Sequence, residues 1–346
     1  MIHTIDAEEF TKLRSTLPLL DVRSPGEYSQ GQIPGAINLP LFTDDERRQT
    51  GILYKSAGRE AAVLEALGFV GARMQFFVKT ARKLAFSKKI MVHCWRGGMR
   101  SESMAWLLST AGLEVFLLSG GYKAYRKYIR DSWNKSANLI VLSGKTGSGK
   151  TEILKQIQEK GSQVLDLEKI AHHKGSAFGS IGENPQPSNE QFENNLADTW
   201  LEMNFEAPIW VEDESRFIGR VNVPEPLYQQ MQKARTICID IPKSMRIERL
   251  ILDYAQHPKE MLIESITRIG RRIGGQHLKT AVAAIDKEDF AAAIDIVLSY
   301  YDKTYEFDLE RKQRNDILHL QCKTADAESN TQLILKHFSA ETAISF

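Results

Sequence analysis

The chain has 346 residues, enough for two domains, and its formal net charge of +1 excludes a globally basic surface for nucleic acid. Hydrophobic residues make up 42% and charged residues 26%, so the composition is that of a globular protein in which any RNA site must be a local patch. The sequence shows no secretory signal pattern, no run of about 18 apolar residues and three cysteines, so we expect a cytoplasmic protein without membrane contact or a disulfide framework.

The first third of the chain alternates strand-like and helix-like segments, which favours a parallel α/β sheet. The apolar run LPLLDVR predicts a strand that ends at Arg23, and residues 45–87 predict two helices broken near Gly68–Gly71. KKIMVH predicts a buried strand that leads directly into Cys94. MRSESMAWLLSTAG, with apolar residues at helical spacing that include Trp106, predicts a helix, and EVFLLSGG predicts a further strand.

A second α/β unit follows, and we place the boundary near residue 135, which gives domains 1–135 and 136–346. NLIVLSG, QVLDL, APIWVED and RTICIDIP predict its strands, and ILHLQC followed by ADAESNTQLILKHF predicts a last strand and helix. Residues 172–195 are rich in glycine, proline and asparagine and predict a long surface loop, whereas residues 243–313 are mostly helical in pattern. Cys238 and Cys322 lie in β-prone runs, which indicates buried core positions.

Cys94 is the strongest candidate for a catalytic residue. The segment HCWRGGMRS, residues 93–101, places it at the carboxyl end of a parallel strand, where open α/β sheets bind ligands. The glycines allow the loop to curl with its N–H groups inward, and the two arginines add positive charge, so a thiolate, persulfide or selenopersulfide would be stabilised. An ordinary buried cysteine leaves the arginines and glycines unexplained. The supporting residues of the loop are Trp95, Arg96, Gly97, Gly98, Arg100 and Ser101.

The pattern Cys-x-x-Gly-x-x-Arg, formed by Cys94, Gly97 and Arg100, resembles the rhodanese family. The upstream segment LLDVRSPGEYSQGQIPGAINLP, residues 19–40, is also similar to that family. The resemblance covers about residues 1–130 and implies an N-terminal, rhodanese-like domain built on a parallel sheet.

A phosphate-binding loop follows the first strand of the second unit. GKTGSGKT fits G-x-x-x-x-G-K-[ST] at every required position and lies between a strand and a helix, which is the context that this motif needs. The backbone N–H groups would surround a phosphate, Lys150 would reach the terminal phosphate, and Thr151 could hold Mg²⁺. The second domain is therefore expected to be P-loop NTPase-like. The phosphate-binding candidates are Gly144, Lys145, Thr146, Gly147, Ser148, Gly149, Lys150 and Thr151.

Acidic residues that end a strand are candidates for the other side of this site. IWVEDES ends in three acids, of which Asp213 or Glu212 could bind a metal or substrate; a solvated strand end is the alternative. The spacing of Arg246 and Arg249 is similar to that of the phosphate-binding arginines of nucleotide kinases, although exposed helical arginines are common. No third histidine or cysteine stands at metal-ligand spacing, so no zinc site is predicted. The candidate substrate or metal contacts are Glu212, Asp213, Ser215, Arg216 and His173.

Two basic patches are candidates for contact with RNA. In residues 122–130, tyrosines that include Tyr122 and Tyr125 alternate with cations, a combination used to bind single-stranded RNA. The alternative is an amphipathic linker helix whose tyrosines pack between the two domains. The second patch surrounds a Gly-Gly break in residues 268–280, where an ordinary solvated helix end is the alternative. The candidate RNA contacts are Lys123, Arg126, Lys127, Arg130, Arg268, Arg271 and Arg272.

The whole chain resembles the tRNA 2-selenouridine synthase family. The matching motifs are CWRGGMRS at 94–101, the P-loop at 144–151, HKGSAFGS at 173–180 and EDESRFIG at 212–219. The resemblance implies conversion of 2-thiouridine to 2-selenouridine at the wobble position of tRNAs for lysine, glutamate and glutamine. It also implies selenophosphate as donor, an S-geranyl intermediate made from geranyl diphosphate, and a selenium-carrying role for Cys94.

The resemblance leads us to expect that the P-loop binds the diphosphate of the prenyl donor, whereas the residues alone leave open a nucleotide, a prenyl diphosphate or both. Mg²⁺ is a candidate ion, and no tightly bound cofactor is expected. We expect a monomer that acts on tRNA and receives selenium from a selenophosphate-producing enzyme. Three alternatives stay open: an ATP-dependent tRNA sulfurtransferase, a P-loop kinase with a regulatory rhodanese module, and a redox-sensing binding module, against which the complete P-loop argues. The residues alone do not distinguish selenium from sulfur at Cys94.

Overall fold

The computed structural model describes residues 1–311, 314 and 316–342, and it describes side chains for these residues except 310, 311 and 339–342. The chain divides into two compact units. The first contains Met1–Ser132 together with Glu193–Asp198, and the second contains Trp133–Phe192 and Thr199–Phe346. The sequence pattern did not indicate that the short segment Glu193–Asp198 belongs with the first unit.

Strands and helices alternate along residues 1–132, as the pattern predicted. The elements are β1 (Ile2–Ile5), α1 (Ala7–Leu13), β2 (Leu19–Asp21), α2 (Pro25–Gln30), β3 (Ile37–Asn38), α3 (Asp44–Gly71), α4 (Met74–Leu84), β4 (Lys89–His93), α5 (Met99–Thr110), β5 (Glu114–Leu118) and α6 (Gly121–Ser132).

The strands of the first unit form a five-stranded sheet in the order β1-β5-β4-β2-β3, and all neighbouring pairs are parallel. Strand β4 lies at the centre, where Ile90, Met91 and Val92 are completely buried. A strand covered on both faces is expected to be continuously apolar, which is why the run KKIMVH predicted a buried strand here. This central strand delivers Cys94 to the carboxyl edge of the sheet.

The long helical segment after β3 begins and breaks where local chemistry requires it. The Thr43 side chain accepts a hydrogen bond from the backbone N–H of Glu46, and the Glu46 carboxylate accepts one from the Thr43 N–H, so a capping box starts α3. The predicted break near Gly68–Gly71 is confirmed, because α3 ends at Gly71 and α4 begins at Met74. A second bend occurs inside α3 at Gly58, whose φ of 87° and ψ of −176° suit only glycine.

The rest of the chain supplies the elements of the second sheet and its helices. They are β6 (Leu139–Gly144), α7 (Lys150–Glu159), β7 (Gln163–Leu165), α8 (Leu167–Ala171), α9 (Asn189–Leu201), β8 (Ile209–Glu212), β9 (Phe217–Ile218), β10 (Val221–Asn222), α10 (Glu225–Lys233), β11 (Arg235–Asp240), α11 (Lys243–Tyr254), α12 (Lys259–Arg268), α13 (Gly270–Ile273), α14 (Gly275–Asp286), α15 (Phe290–Arg311), β12 (Ile317–Gln321) and α16 (Ala327–Thr342).

The second unit contains a five-stranded sheet in the order β12-β11-β6-β8-β7, again with parallel neighbours throughout. Strand β6 lies between β11 and β8, and all of its residues from Leu139 to Gly144 are buried. Helices α12 to α15 form a separate apolar cluster that includes Leu262, Ile266 and Val297. The strand that leads into the P-loop is therefore central, and a helical layer lies beyond it. Cys238 and Cys322 are buried, as predicted.

The prediction of one loop across residues 172–195 is wrong in its last part. The Ser188 side chain accepts a hydrogen bond from the Gln191 N–H and starts α9, in which Phe192 and Trp200 are completely buried. The start of this helix was missed because its N-cap residue follows directly after the glycine- and proline-rich segment in the sequence. Trp106 lies in α5, as the helical pattern predicted, and is 58% exposed.

Within the described residues, no single helix is long and apolar enough to cross a membrane. Helices α3 and α4 meet that length and composition test only as a pair, and the two are bent by 64°.

Candidate functional site

Cys94 begins the turn between β4 and α5, and the backbone of another turn closes over it. The Tyr122 N–H donates to the Cys94 carbonyl at 2.8 Å, and the Lys123 N–H donates to the Trp95 carbonyl at 3.0 Å. Both donors belong to the first turn of α6, whose N–H groups have no partner within the helix. The start of α6 therefore fixes the backbone of the cysteine loop.

Glycine is required on both sides of this contact. Gly97 has a φ of 68°, and a Cβ there would lie 2.7 Å from the Gly120 nitrogen. Gly121 has a φ of 61°, and a Cβ there would lie 2.5 Å from the Gly97 nitrogen and would also collide with the Cys94 carbonyl. The paired glycines that ended the predicted strand EVFLLSGG thus allow two backbones to meet beside Cys94.

The Cys94 sulfur lies at the floor of a cleft at the carboxyl edge of the sheet. Cys94 is only 3% exposed, and the Ser101 hydroxyl lies 3.1 Å from its Sγ. The same hydroxyl is 3.1 Å from the Gly98 carbonyl, so it has one proton for two acceptors. The cleft walls carry Arg47, Arg96 and Arg100, which makes the cleft suitable for an anionic group.

Arg100 is shared with a carboxylate. Its Nη1 donates to Glu27 Oε2 at 2.5 Å, and Glu27 also accepts from the Ser24 N–H at the start of α2. Burial opposes ionisation of Glu27, but the hydrogen bond and charge of Arg100 outweigh it, so the pKa of Glu27 is lowered. The predicted positive charge of Arg100 is therefore present beside Cys94 but is partly balanced.

A completely buried ionic group supports the loop from below. Arg23 bonds Asp21 through Nε and Nη2, with Nη2 to Oδ2 at 2.6 Å, and its guanidinium lies 3.9 Å from the centre of the Tyr122 ring. Burial opposes ionisation of Asp21, but His93 and Arg23 outweigh it and lower its pKa, whereas burial lowers the pKa of His93. Arg23 and Tyr122 thus join the end of β2 to the start of α6.

The second site lies at the carboxyl end of β6, where residues 144–151 form a turn into α7. Gly147 and Gly149 have φ values of 80° and 76°, so the loop uses glycine where other residues would be strained. Lys150 Nζ donates to the Gly144 carbonyl at 3.1 Å, which holds its ammonium group over the loop. The Ser148 hydroxyl is buried and has no partner among the described residues. This arrangement can surround a phosphate group.

Two glutamates that the sequence analysis missed face the P-loop lysine. The Thr151 hydroxyl donates to Glu168 Oε2 at 3.2 Å, and the carboxyl groups of Glu168 and Glu214 are within hydrogen-bonding reach of each other. Burial raises the pKa of Glu168 and, together with the Glu168 charge, raises the pKa of Glu214 to about 8. The pair therefore holds a proton at neutral pH. Glu168 follows a short strand with no motif of its own, so no sequence signal marked it.

The acids that the sequence favoured lie behind this pair. Glu212 is completely buried, accepts a hydrogen bond from the Leu167 N–H at 3.0 Å, and has a pKa raised well above its ordinary value by burial. Asp213 lies at the edge of the cleft, where its oxygens accept from Ser143 at 2.5 Å and from Arg314 at 2.6 Å. Both acids are therefore engaged by the protein itself, and contact with substrate or metal stays a prediction.

The other candidates of this set are spread over different surroundings. Ser215 lines the phosphate cleft, whereas Arg216 forms a pair with Glu225 at 2.8 Å. His173 is 9% exposed and lies outside the residues that line the cleft.

The two arginines of α11 have different positions. Arg246 is buried, pairs with Asp302 at 2.7 Å and donates to the Thr146 carbonyl at 3.1 Å, so it braces the P-loop from behind. Arg249 lines the cleft, with its guanidinium beside Gly149, and it forms an ion pair with Glu152. Arg249 is the arginine in position to meet a phosphate group.

A narrow apolar cavity opens from the phosphate cleft toward helices α11 to α15. Thr146, Ser176, Leu250, Tyr254 and Tyr301 line both spaces. Beyond them the cavity wall is almost entirely hydrocarbon. Its further lining includes Phe178, Leu262, Ile266, Phe290, Ala293 and Val297. The site therefore joins a polar end at the P-loop to an apolar end among the helices.

The basic patches differ from their predicted form. Tyr122 and Tyr125 are buried, so those rings do not offer a stacking surface. Arg126 donates to Asn194 at 2.7 Å and forms an ion pair with Glu193 inside the first unit. The exposed cations are Lys123, Lys127, Arg130, Arg268, Arg271 and Arg272.

Comparison with known families assigns both units. Residues 6–128 match the model of the rhodanese-like domain, and residues 137–332 match the model of the tRNA 2-selenouridine synthase AAA domain. The two matches together account for both candidate loops.

Relatives are similar over most of the chain. A tRNA 2-selenouridine synthase of Shewanella sediminis is 36% identical over 86% of this chain and 89% of its own length, and one of Bdellovibrio bacteriovorus is 36% identical over 86% and 90%. One of Shewanella frigidimarina is 34% identical over 98% of this chain and all of its own. Among solved structures, the N-terminal domain of a putative ATP/GTP binding protein of Clostridium difficile is 38% identical over 36% of this chain, with a TM-score of 0.35.

The close approach at Cys94 predicts a specific effect of one methyl group. Gly121→Ala should displace the cysteine loop and change the alkylation rate of Cys94 by at least about tenfold, because its Cβ has no room. Gly112→Ala is the matched control, since Gly112 also has a positive φ, of 89°, but open space around its Cβ position. Iodoacetamide labelling followed by peptide mass mapping measures the rate at Cys94. Equal rates in the two variants would contradict the role of this contact.

The proton held by the glutamate pair predicts a pH dependence. Because the pKa of Glu214 is raised to about 8, the group is neutral below that pH and becomes negative above it. Between pH 7 and 9, the affinity for metal-free pyrophosphate should therefore decrease in the wild type. The corresponding decrease in Glu214→Gln should be smaller by about tenfold. Calorimetric titration of both proteins isolates this group, since the ionisation of pyrophosphate is common to both. Parallel pH profiles would refute the prediction.

Proposed function

We propose a selenium-transfer mechanism from one premise: the chain belongs to the tRNA 2-selenouridine synthase family. The chain is accordingly an enzyme that modifies tRNA, and it replaces the sulfur of a wobble 2-thiouridine by selenium. The finer proposal has two steps. Geranyl diphosphate, bound at the P-loop, first alkylates the sulfur of the 2-thiouridine. Cys94 then takes part in the transfer of selenium from selenophosphate to the uridine.

The observation that carries the alkylation step is the apolar cavity that continues the phosphate cleft. A nucleoside would place a ribose and a polar base beyond the phosphates, whereas these walls offer Phe178, Leu262 and Val297. A prenyl diphosphate matches both ends, with its diphosphate at the P-loop and its hydrocarbon in the cavity. The cavity is narrow, so a bound chain would have to displace flexible side chains such as Leu250.

The alkylation needs a stabilised leaving group. The uridine sulfur attacks C1 of the geranyl chain, the C1–O bond breaks, and the uridine N3 proton is released as the C2–N3 double bond forms. Lys150 and the P-loop N–H groups stabilise the negative charge that develops on the departing pyrophosphate. Thr151 and Glu168 are adjacent oxygen donors that fit Mg²⁺, which would neutralise further charge on the diphosphate.

The selenium step uses the first unit. S-alkylation converts a poor leaving group, sulfide, into a thiolate that can leave C2. The Se–P bond of selenophosphate breaks as its phosphoryl group passes to water, and the hydrogen selenide released forms a bond to C2. The C2–S bond then breaks, geranyl thiolate leaves, and N3 regains its proton. Arg47, Arg96 and Arg100 give the cleft the charge to hold an anionic selenium donor over Cys94. Wobble uridines of tRNAs for lysine, glutamate and glutamine are the proposed substrates. The exposed cations of α6 and of residues 268–272 are the proposed tRNA contacts, in a cytoplasmic monomer supplied by a selenophosphate-producing enzyme.

The sulfurtransferase alternative differs in its product and its donor. Mass spectrometry of tRNA nucleosides, from cells with and without this protein, should show loss of 2-selenouridine and persistence of 2-thiouridine. An unchanged nucleoside profile would contradict the selenation function, and loss of 2-thiouridine would favour sulfur transfer.

Substitutions in the two parts of the P-loop site should separate phosphate binding from hydrocarbon binding. Lys150→Ala should reduce affinity for both pyrophosphate and geranyl diphosphate by about a hundredfold and stop geranylation. Ala293→Leu, which fills the buried cavity wall, should reduce affinity about tenfold for geranyl diphosphate only. Calorimetry and RNA mass spectrometry measure these effects. Intact geranylation by Lys150→Ala, with selenation abolished, would overturn the assignment of the P-loop.

Cys94→Ser should separate the two chemical steps. The hydroxyl cannot replace the thiolate, so 2-selenouridine should fall below detection while S-geranyl-2-thiouridine accumulates. Liquid chromatography with mass spectrometry of the modified RNA measures both nucleosides. Full selenation by this variant would remove Cys94 from the mechanism.

A further inference from the structure

An apolar groove lies beside the cysteine cleft, between helices α3 and α5. Its walls include Tyr54, Val63 and Leu67 of α3 and Met99 of α5. Leu67 is 63% exposed, Tyr54 is 59% exposed and Met99 is 44% exposed, so this is apolar surface left open to water. A contiguous exposed apolar surface commonly marks a binding site.

The groove is continuous with the reactive cleft at one end. Met99 and Arg100 line both the cleft that contains Cys94 and the groove. At the other end, Leu67 and Val70 also line a further apolar depression that reaches Trp106. The surface therefore runs from the charged cleft along α5 to the exposed side chain of Trp106.

We propose that this groove binds the prenyl chain of the S-alkylated tRNA intermediate while its uridine C2 faces Cys94. The proposal rests on the function proposed above, in which the sulfur carries a geranyl group when selenium is introduced. From residue 100 to residue 106, α5 rises by about 9 Å, which is comparable with the length of an extended ten-carbon prenyl chain.

The distribution of charge along this surface supports an occupant in which a small hydrocarbon is attached to a polar group. The three arginines at the cleft end meet an anionic donor or an RNA phosphate, and the groove beyond Met99 is apolar. A substrate that joins a nucleotide to a hydrocarbon has the same order of groups. The hydrocarbon thus occupies two sites in turn: the cavity of the second unit while it is a diphosphate, and this groove once it is a thioether.

The groove should select for a prenylated base. The test supplies the full-length enzyme and selenophosphate with anticodon stem-loop RNAs that carry S-geranyl- or S-methyl-2-thiouridine, and it compares kcat/KM for selenation. The wild type should prefer the S-geranyl RNA. Leu67→Gln should reduce that preference by about tenfold, chiefly through a higher KM for the S-geranyl RNA, because an apolar contact is lost.

Leu64→Gln is the matched control, since Leu64 is 73% exposed on the same helix but does not line the groove. The control should retain the wild-type preference. No preference in the wild type, or an unchanged preference in Leu67→Gln, would overturn the groove assignment while leaving selenation of alkylated RNA intact. Failure of the wild type to convert either RNA would instead overturn the proposed function on which the assignment rests.

Discussion

A central parallel strand is followed by a turn that has left the sheet, so the backbone N–H and C=O groups of that turn need hydrogen-bond partners outside the sheet. Both candidate sites are solutions to that constraint. Strand β4 ends at His93, and the carbonyls that follow it accept hydrogen bonds from the start of α6. Strand β6 ends at Gly144, whose carbonyl accepts from Lys150. In each case the turn leaves N–H groups and cations at the carboxyl edge of the sheet, which is the physical basis for binding anions there.

The two sites treat buried charge in opposite ways. Below Cys94, Asp21 and Arg23 are completely buried and ionised as a pair, an arrangement that is costly to break and holds geometry. Beside the P-loop, Glu168 and Glu214 share a proton, so the site carries less negative charge than its residues suggest. The first arrangement suits a loop that positions a nucleophile. The second lowers the negative charge that faces the P-loop lysine.

The reactive loops were predictable because each follows a continuous apolar strand and carries glycines and cations within a few residues. The positions that depend on tertiary contact were not. Glu168 and Glu214 approach each other from different strand ends, and Arg126 is paired with Glu193, far away in sequence. The apolar cavity uses side chains from Thr146 to Tyr301, so no local pattern could describe it. The spacing in α5 predicted a helix but not the 58% exposure of Trp106, because periodicity does not show which apolar side chains a neighbouring element covers.

Glu27 gives the cysteine cleft a resident anion. Its carboxylate accepts from Arg100 at 2.5 Å and from the Ser24 N–H at 3.1 Å, and its Oε1 lies 3.7 Å from Arg47 Nε. An entering ligand must compete with this carboxylate for the same two guanidinium groups. If a singly charged ion replaces Glu27, the arginines exchange one monovalent partner for another, and little binding free energy is gained. A multiply charged oxyanion can bind both arginines more strongly than Glu27 does. Under the proposed function, Glu27 therefore favours a donor with more than one negative charge over a monovalent anion.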